Sequence, residues 1–295
     1  MGGPDWDGDS TPHAIRFGIA TSETMGSVVA FPSGVGPASG QHTAFCKALA
    51  TSIGLPVVPS QYADYRSLLA AINEVEIDVA WLPPVIALRT ISSGRTVPIA
   101  LPVRGGVAWY SSALFAPAGS RIATIHDLHG ARVAWVDRQS TSGYLVMRAW
   151  LRAQNLDPDS MFAEETFHGS HAAVSHAVIS GAADVGATFA HVDWNTLAVT
   201  SAGWGASRVQ VVALAGPIPS DVIAASVSLP VAAIRLVQHA LVSAPTAELL
   251  QAASALLDAS AFVAAESEHM APLMSLLKHL DDDGRRILSV YPPAR

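Results

Sequence analysis

The stretch 137–145, DRQSTSGYL, sets three hydroxyl side chains, Ser140, Thr141 and Ser142, directly ahead of Gly143. The apolar run ARVAWV before it reads as a buried strand, and LVMRAWLRA after it has helical spacing. Hydroxyls at a strand-to-helix junction can donate to an anion. The free N–H groups of the first helical turn point out of the same loop, with the positive end of the helix dipole behind them. Gly143 lets the backbone come close to such a ligand. Ser140 and Thr141 as a plain helix cap would use the same residue types. A second stretch, FHGSHAAVSHAVISG, repeats the device: a strand ends at Phe167, Ser170 caps a helix, and His171 sits in its first turn. An imidazole there can donate beside a second helix N-terminus. The chemistry that suits both stretches is the holding of an anion by neutral donors and dipoles.

These residues need a scaffold that brings loop ends together. AIRFGIA, LPVVPSQ, IDVAWLP and VPIALPV read as strands, with helical patterns in QHTAFCKALATSIG and in DYRSLLAAINEVE, the latter capped by Asp64. SALFAPA, ARVAWV, AEETFHG, ADVGATF and VQVVALA continue the strands, IHDLHG reads as a turn, and the chain beyond Pro230 reads as mostly helical. Strands alternating with helices predict an α/β fold with crossover helices between parallel strands. Ligands in such folds sit at the carboxyl ends of strands, which is where both motif stretches fall. The loop after the first strand also ends a strand and carries Ser22 and Glu23, a composition equally ordinary for a loop.

The chain of 295 residues is half hydrophobic and only 14% charged, ample for a large core, yet no apolar run reaches the length of a membrane span. Net charge is -7, and Lys47 and Lys278 are the sole lysines, so nucleic acid and anionic membranes are not expected partners. Cys46 has no partner for a disulfide. The acidic, glycine-rich start lacks the basic and apolar regions of a signal peptide, and residues 1–13 are expected to be disordered. A cytoplasmic location is expected if Met1 is the native start, and a periplasmic or extracellular one if a leader was removed.

Together, DYRSLLAAINEVEIDVAWLPP, HDLHGARVAWVDRQSTSGYL, HGSHAAVSHAVISGAADVGAT and GPIPSD closely resemble the phosphonate, phosphite and phosphate substrate-binding proteins of ABC transporters. The resemblance runs in order from about residue 15 to the end. It implies the type II periplasmic-binding-protein fold, two α/β lobes joined by a hinge of two crossing strands. Residues 14–105 plus 213–295 would form one lobe and 106–212 the other. It also implies that Ser140, Thr141 and Ser142 cradle the oxygens of a small phosphorus oxyanion and that His171 donates to the same oxygens. Asp221 would accept the proton of a monoprotonated ligand, Tyr65 would reach in from the first lobe, and either Trp109 or Tyr110 would supply a site aromatic. At the place where binders of aminophosphonates carry an acidic residue, this sequence has His191 or a neighbour, so a cationic substituent is not expected. No cofactor is implied. The expected partners are the ligand and an ABC permease or a sensor kinase, and the protein is expected to be a monomer.

Three other readings use the same residues. His168, His171 and His176 could suggest a metal, but the spacing of the latter two diverges on a helix and no cysteine or carboxylate pair completes a shell. The glycine-rich loop near residue 34 lacks the Lys-Ser/Thr ending of a P-loop. An enzyme built on the same fold would use His171, His191 and Asp221 as acid and base on a small anionic metabolite.

Overall fold

The nearly continuous apolar runs of the sequence form the centres of two sheets. The computed structural model describes residues 13–20, 39–63, 65–138, 140–193, 195–196 and 198–280. The expected disordered start (except His13), the loop with Ser22 and Glu23, and the Asp64 cap lie outside them. The first sheet is entered through β1 (Ile15–Ala20), α1 (Ser39–Ile53), β2 (Val57–Tyr62), α2 (Tyr65–Asn73), β3 (Val79–Leu82), α3 (Pro84–Ser92) and β4 (Thr96–Val103). The second holds β5 (Trp109–Pro117), β6 (Arg132–Trp135), α4 (Val146–Ala153), α5 (Pro158–Met161), β7 (Glu164–Phe167), α6 (His171–Ile179), β8 (Val185–Asp193), β9 (Ala198–Ala202) and β10 (Val209–Pro219). The chain then returns through β11 (Val222–Ser226), α7 (Val231–Gln238), α8 (Ala247–Leu257), β12 (Ala261–Ala264) and α9 (Ser267–Leu277).

The first sheet has the order β12-β4-β11-β3-β1-β2, and the second β10-β5-β8-β6-β7 with β9 beside β8. In the first, β1 pairs in parallel with β2 and β3, while the returning β11 wedges antiparallel between β3 and β4. Every residue of β3 and β11 is buried, as strands covered on both faces must be. Phe45 and Leu49 of α1, Val237 of α7 and Leu256 of α8 pack one face; Leu68 and Ile72 of α2 and Ile86 of α3 pack the other. The sheets are mixed, where the sequence predicts parallel crossovers, because the chain comes back antiparallel after visiting the second sheet. Five elements were not expected from the sequence: α3, α5, β9, β11 and β12. In α3 the Pro83-Pro84 pair acts as a start, since proline suits the first helical position. β12 is a four-residue strand inside a helical tail, too short to show a period.

Two short segments carry the chain between sheets. At the first, Arg104-Gly105-Gly106-Val107 closes a tight turn, with bonds from Arg104 N to Val107 O (2.9 Å) and back (3.1 Å). Gly105 and Gly106 hold φ of 58° and 84°, which two-residue turns of this twist require. At the second, Ser220 N donates to Ala108 O at 2.9 Å, so the crossings are hydrogen-bonded to each other. β10 stays in the second sheet as far as Pro219, so pairing changes sheets at Ser220–Asp221 and not at the expected boundary of 213. The tail also departs from the expected division: Leu273 and Leu277 of α9 pack in the core of the second sheet with Trp135 and Leu151. Among the described residues no single helix is long and apolar enough to cross a membrane.

Candidate functional site

β6 and β7 lie side by side in parallel, so their carboxyl ends place both motif stretches at one edge of the second sheet. Past the strand ends, His168 N bonds Trp135 O at 3.0 Å and Gly169 N bonds Val136 O at 2.8 Å, which keeps the two loops together. Ser140 is the N-cap, its Oγ accepting from Gly143 N at 3.0 Å. The expected helix begins with a wide turn, in which Leu145 N reaches Ser140 O at 3.0 Å, a five-residue step. Turns of this kind recur at functional sites because they open the first N–H groups. Ser112 Oγ of β5 donates to Ser142 O at 2.6 Å and fixes the loop from below. Ser140, Thr141 and Ser142 are all buried.

Gly143 is required by space. A Cβ there would sit 2.3 Å from Val136 Cγ2 and 2.7 Å from Ser140 Oγ. Gly143→Ala is therefore expected to destabilise the protein by about 1–3 kcal/mol and to weaken ligand binding at least tenfold by displacing the loop. Thermal unfolding and calorimetry on the variant check this; unchanged values for both would contradict the packing.

Ser170 caps α6 by accepting from Ala173 N at 3.2 Å, and His171 in the first turn is 6% exposed. His171 Nδ1 lies 2.8 Å from Thr188 Oγ1 of β8, and Nε2 has no protein partner. With the Thr188 hydroxyl donating to Nδ1, the proton of the neutral ring sits on Nε2, which can then donate to an anion. Burial pushes His171 down to about 4, and burial also takes His42 to about 4. Between an ordinary histidine value near 6.5 and these lowered ones, the unfolded chain binds protons that the native protein refuses. Stability is thus complete above about pH 6.5 and is lost as pH falls toward 4, His171 accounting for on the order of 3 kcal/mol. Urea unfolding at pH 7 and pH 4.5 checks this, with a flat profile as the contrary result.

Across from these loops, the second crossing carries Asp221, 1% exposed. Arg104 from the first crossing, 5% exposed, donates Nη2 to Asp221 Oδ2 at 3.0 Å and Nε to Leu257 O at 2.9 Å. Burial raises the Asp221 carboxyl above its usual range, opposed by Arg104 and by the Trp81 indole, whose N–H has no partner of normal geometry. Tyr65 opens α2, and its hydroxyl is pushed up by burial and then by the Asp221 charge. Tyr110 of β5 is pushed up by the same two causes, and its hydroxyl also lies against Thr141. Asp221, Tyr65, Tyr110 and the Ser140–Ser142 loop therefore share one buried centre. Ring contacts extend it to His171: Tyr110 to His191 at 6.4 Å, His191 to Phe189 at 6.1 Å, Phe189 to His171 at 5.1 Å.

Of the two candidate aromatics, Tyr110 faces this centre. Trp109, on the other face of the strand, stacks on His269 of α9 at 5.1 Å. His191 lies at the edge of the centre, its basicity lowered by burial and then by Arg104. A pocket of about 460 Å³ opens beside it, with Arg104, His191, Asp193 and Asp258 among its lining. Sequence reasoning missed Arg104, Ser112 and Thr188. The Arg-Gly-Gly turn after an apolar strand was the available signal for Arg104. Its partner lies 117 residues away, at a distance no local pattern reports.

The polar atoms left without protein partners include Ser111 Oγ, Ser142 Oγ, Tyr110 OH, His171 Nε2, Arg104 Nη1 and Asp221 Oδ1. Buried groups of this kind need partners, so this cluster is the candidate site for a polar ligand. It offers several donors and one open carboxylate oxygen. A nucleophilic relay is not assembled: His171 is tied to Thr188, Asp221 to Arg104, and Ser140 Oγ to Gly143 N.

The family described as ABC transporter, phosphonate, periplasmic substrate-binding protein matches residues 38–270. Solved structures share the fold. One is XAC2383 from Xanthomonas citri bound to chloride, 18% identical, with a TM-score of 0.72 over 95% of this chain and 100% of that one. A binding-protein component of an ABC phosphonate transporter from Pseudomonas aeruginosa is 18% identical, with a TM-score of 0.64 over 94% and 93%. PhnD1 from Prochlorococcus marinus, solved with methylphosphonate, is 16% identical, with a TM-score of 0.64 over 91% and 98%.

Proposed function

The chain belongs to the periplasmic phosphonate substrate-binding proteins of ABC transporters, and we propose that it captures a small phosphorus oxyanion, phosphonate or phosphite ahead of phosphate, between its two lobes. The observation that carries this reading is the set of buried, unpartnered polar atoms contributed by the second sheet and by the crossing segment: Ser142 Oγ, Tyr110 OH and His171 Nε2 from the former, and Asp221 Oδ1 from the latter. Hydroxyls, a neutral imidazole and helix N-terminal N–H groups bind the charged oxygens. The open oxygen of Asp221 needs a proton to accept, which a monoprotonated phosphorus oxyanion has and sulfate at neutral pH lacks. PhnD1, a protein of the same fold, was solved with methylphosphonate, which agrees with the size of ligand suggested here.

In this reading the loaded protein works as a monomer outside the cytoplasmic membrane and delivers its ligand to an ABC permease. A sensor kinase could receive the same closed form. Titration calorimetry at pH 7 with methylphosphonate, phosphite, phosphate, sulfate and acetate tests the ligand. At least one phosphorus oxyanion is expected to bind 100-fold or more tighter than sulfate, a difference of about 3 kcal/mol. Binding of a carboxylate with no response to any phosphorus oxyanion would overturn the proposal and favour an enzyme on this fold.

A further inference from the structure

We propose that Arg104 determines specificity in this cleft by serving as a built-in counter-cation to Asp221, so that phosphonates with an uncharged substituent are accepted and those bearing an ammonium group are turned away. The inference rests on the phosphorus-oxyanion reading and adds to it a residue, Arg104, that sets the charge class of the substituent expected from the sequence.

A carboxylate as buried as Asp221 must find a cation or a proton, because removal from water costs several kcal/mol when nothing replaces the lost solvation. If the chain supplied neither, the ligand would have to, and an ammonium group would be the natural complement. Here the chain supplies the cation: Arg104 Nη2 stands 3.0 Å from Asp221 Oδ2. The guanidinium cannot give up its proton. Nor can it swing aside freely, since Nε is tied to Leu257 O and the backbone is locked in the Arg104–Val107 turn. The two crossing segments are thereby clamped by an ion pair as well as by the Ser220–Ala108 bond.

The pair carries no net charge but leaves one acceptor, Asp221 Oδ1, and one donor, Arg104 Nη1, without protein partners. A P–OH group can use the first and a phosphoryl oxygen the second. An ammonium group brought to the same place finds its carboxylate already compensated and meets the Arg104 charge. It loses hydration and gains no ion pair. Asp193 and Asp258 line the neighbouring pocket, but Asp258 is exposed, and Asp193 Oδ1 already accepts from Asn195 N at 2.9 Å. Charges so placed are screened by water and salt.

The test compares n-propylphosphonate with 2-aminoethylphosphonate, which differ by a methyl in place of the ammonium group, by calorimetry at pH 7. The wild-type protein is expected to bind propylphosphonate at least about tenfold tighter. In Arg104→Met, where Asp221 stands alone, the preference is expected to reverse. The double variant Arg104→Met/Asp221→Asn, which buries no charge and guards against misfolding of the single one, is expected to bind both within about threefold. Wild-type protein that binds the amine as tightly as propylphosphonate or more so overturns the role of Arg104, as does a double variant that keeps the tenfold preference. Folded wild-type protein that binds neither compound nor any other phosphorus oxyanion overturns the underlying ligand reading, a separate outcome.

Discussion

Arg104→Met is expected to lower the unfolding free energy by about 3–5 kcal/mol at pH 8, because it leaves Asp221 charged, buried and unpaired. The large value comes from the desolvated partner left behind, and an exposed pair would cost under about 1 kcal/mol. Arg104→Met/Asp221→Asn removes both charges and is expected to recover most of the loss, so the two substitutions couple strongly. The sign of the pH dependence follows from Asp221. Burial already raises its carboxyl above the usual range, and without Arg104 the opposing pull is gone. A native state that holds a proton which the unfolded chain releases loses stability as pH rises through the carboxylate range. The deficit of Arg104→Met relative to wild type is therefore expected to be smaller at pH 5 than at pH 8. Urea unfolding of the wild type, both single variants and the double variant at the two pH values measures this. A single variant as stable as wild type at pH 8 would mean that the pair is not desolvated in solution.

How much of this was legible in the sequence depends on range. DRQSTSGYL and HGSH could be read because each junction is local: an apolar run, a capping serine, then a helical period. The two-sheet architecture followed from the order of such units together with the family resemblance. β11 shows the limit. VIAAS reads as a buried strand or a buried helix segment, and its antiparallel place between β3 and β4 is fixed by the return from the other sheet. The same holds for the centre of the site. Asp221 and Tyr65 came from the resemblance, whereas the Arg104 partner of Asp221 belongs to a crossing whose pairing appears only when both halves of the chain are folded. Trp109 and Tyr110 could not be separated by sequence because neighbours on a strand face opposite ways, and the face is set by register against β8 and β10. The resemblance places α9 in the first lobe with the rest of 213–295, whereas Leu273 and Leu277 find their apolar partners on the second sheet.

The hydroxyl loop gives the second large effect, and it separates binding from folding. Ser142 Oγ is buried without a protein partner, so Ser142→Ala removes an unsatisfied group and should leave stability unchanged or slightly raised. Against a charged ligand the same hydroxyl is worth on the order of 1.5–3 kcal/mol, so affinity should fall roughly tenfold to a hundredfold. Thr141 differs in one respect, because its hydroxyl also lies against Tyr110. Thr141→Ala should lose a similar factor in affinity and under about 1 kcal/mol of stability, since Tyr110 OH makes no hydrogen bond of normal geometry to it. With both hydroxyls gone, affinity is expected to drop by about two to four orders of magnitude while the capping bond from Gly143 N to Ser140 Oγ stays in place. A site evolved to hold an anion should show this opposition, weaker binding without weaker folding, most sharply at Ser142. Calorimetry with methylphosphonate and thermal unfolding on the three variants decide the matter. Variants that melt lower yet bind with unchanged affinity would reduce the loop to a helix cap, since capping is the one role in which these hydroxyls matter to the fold alone.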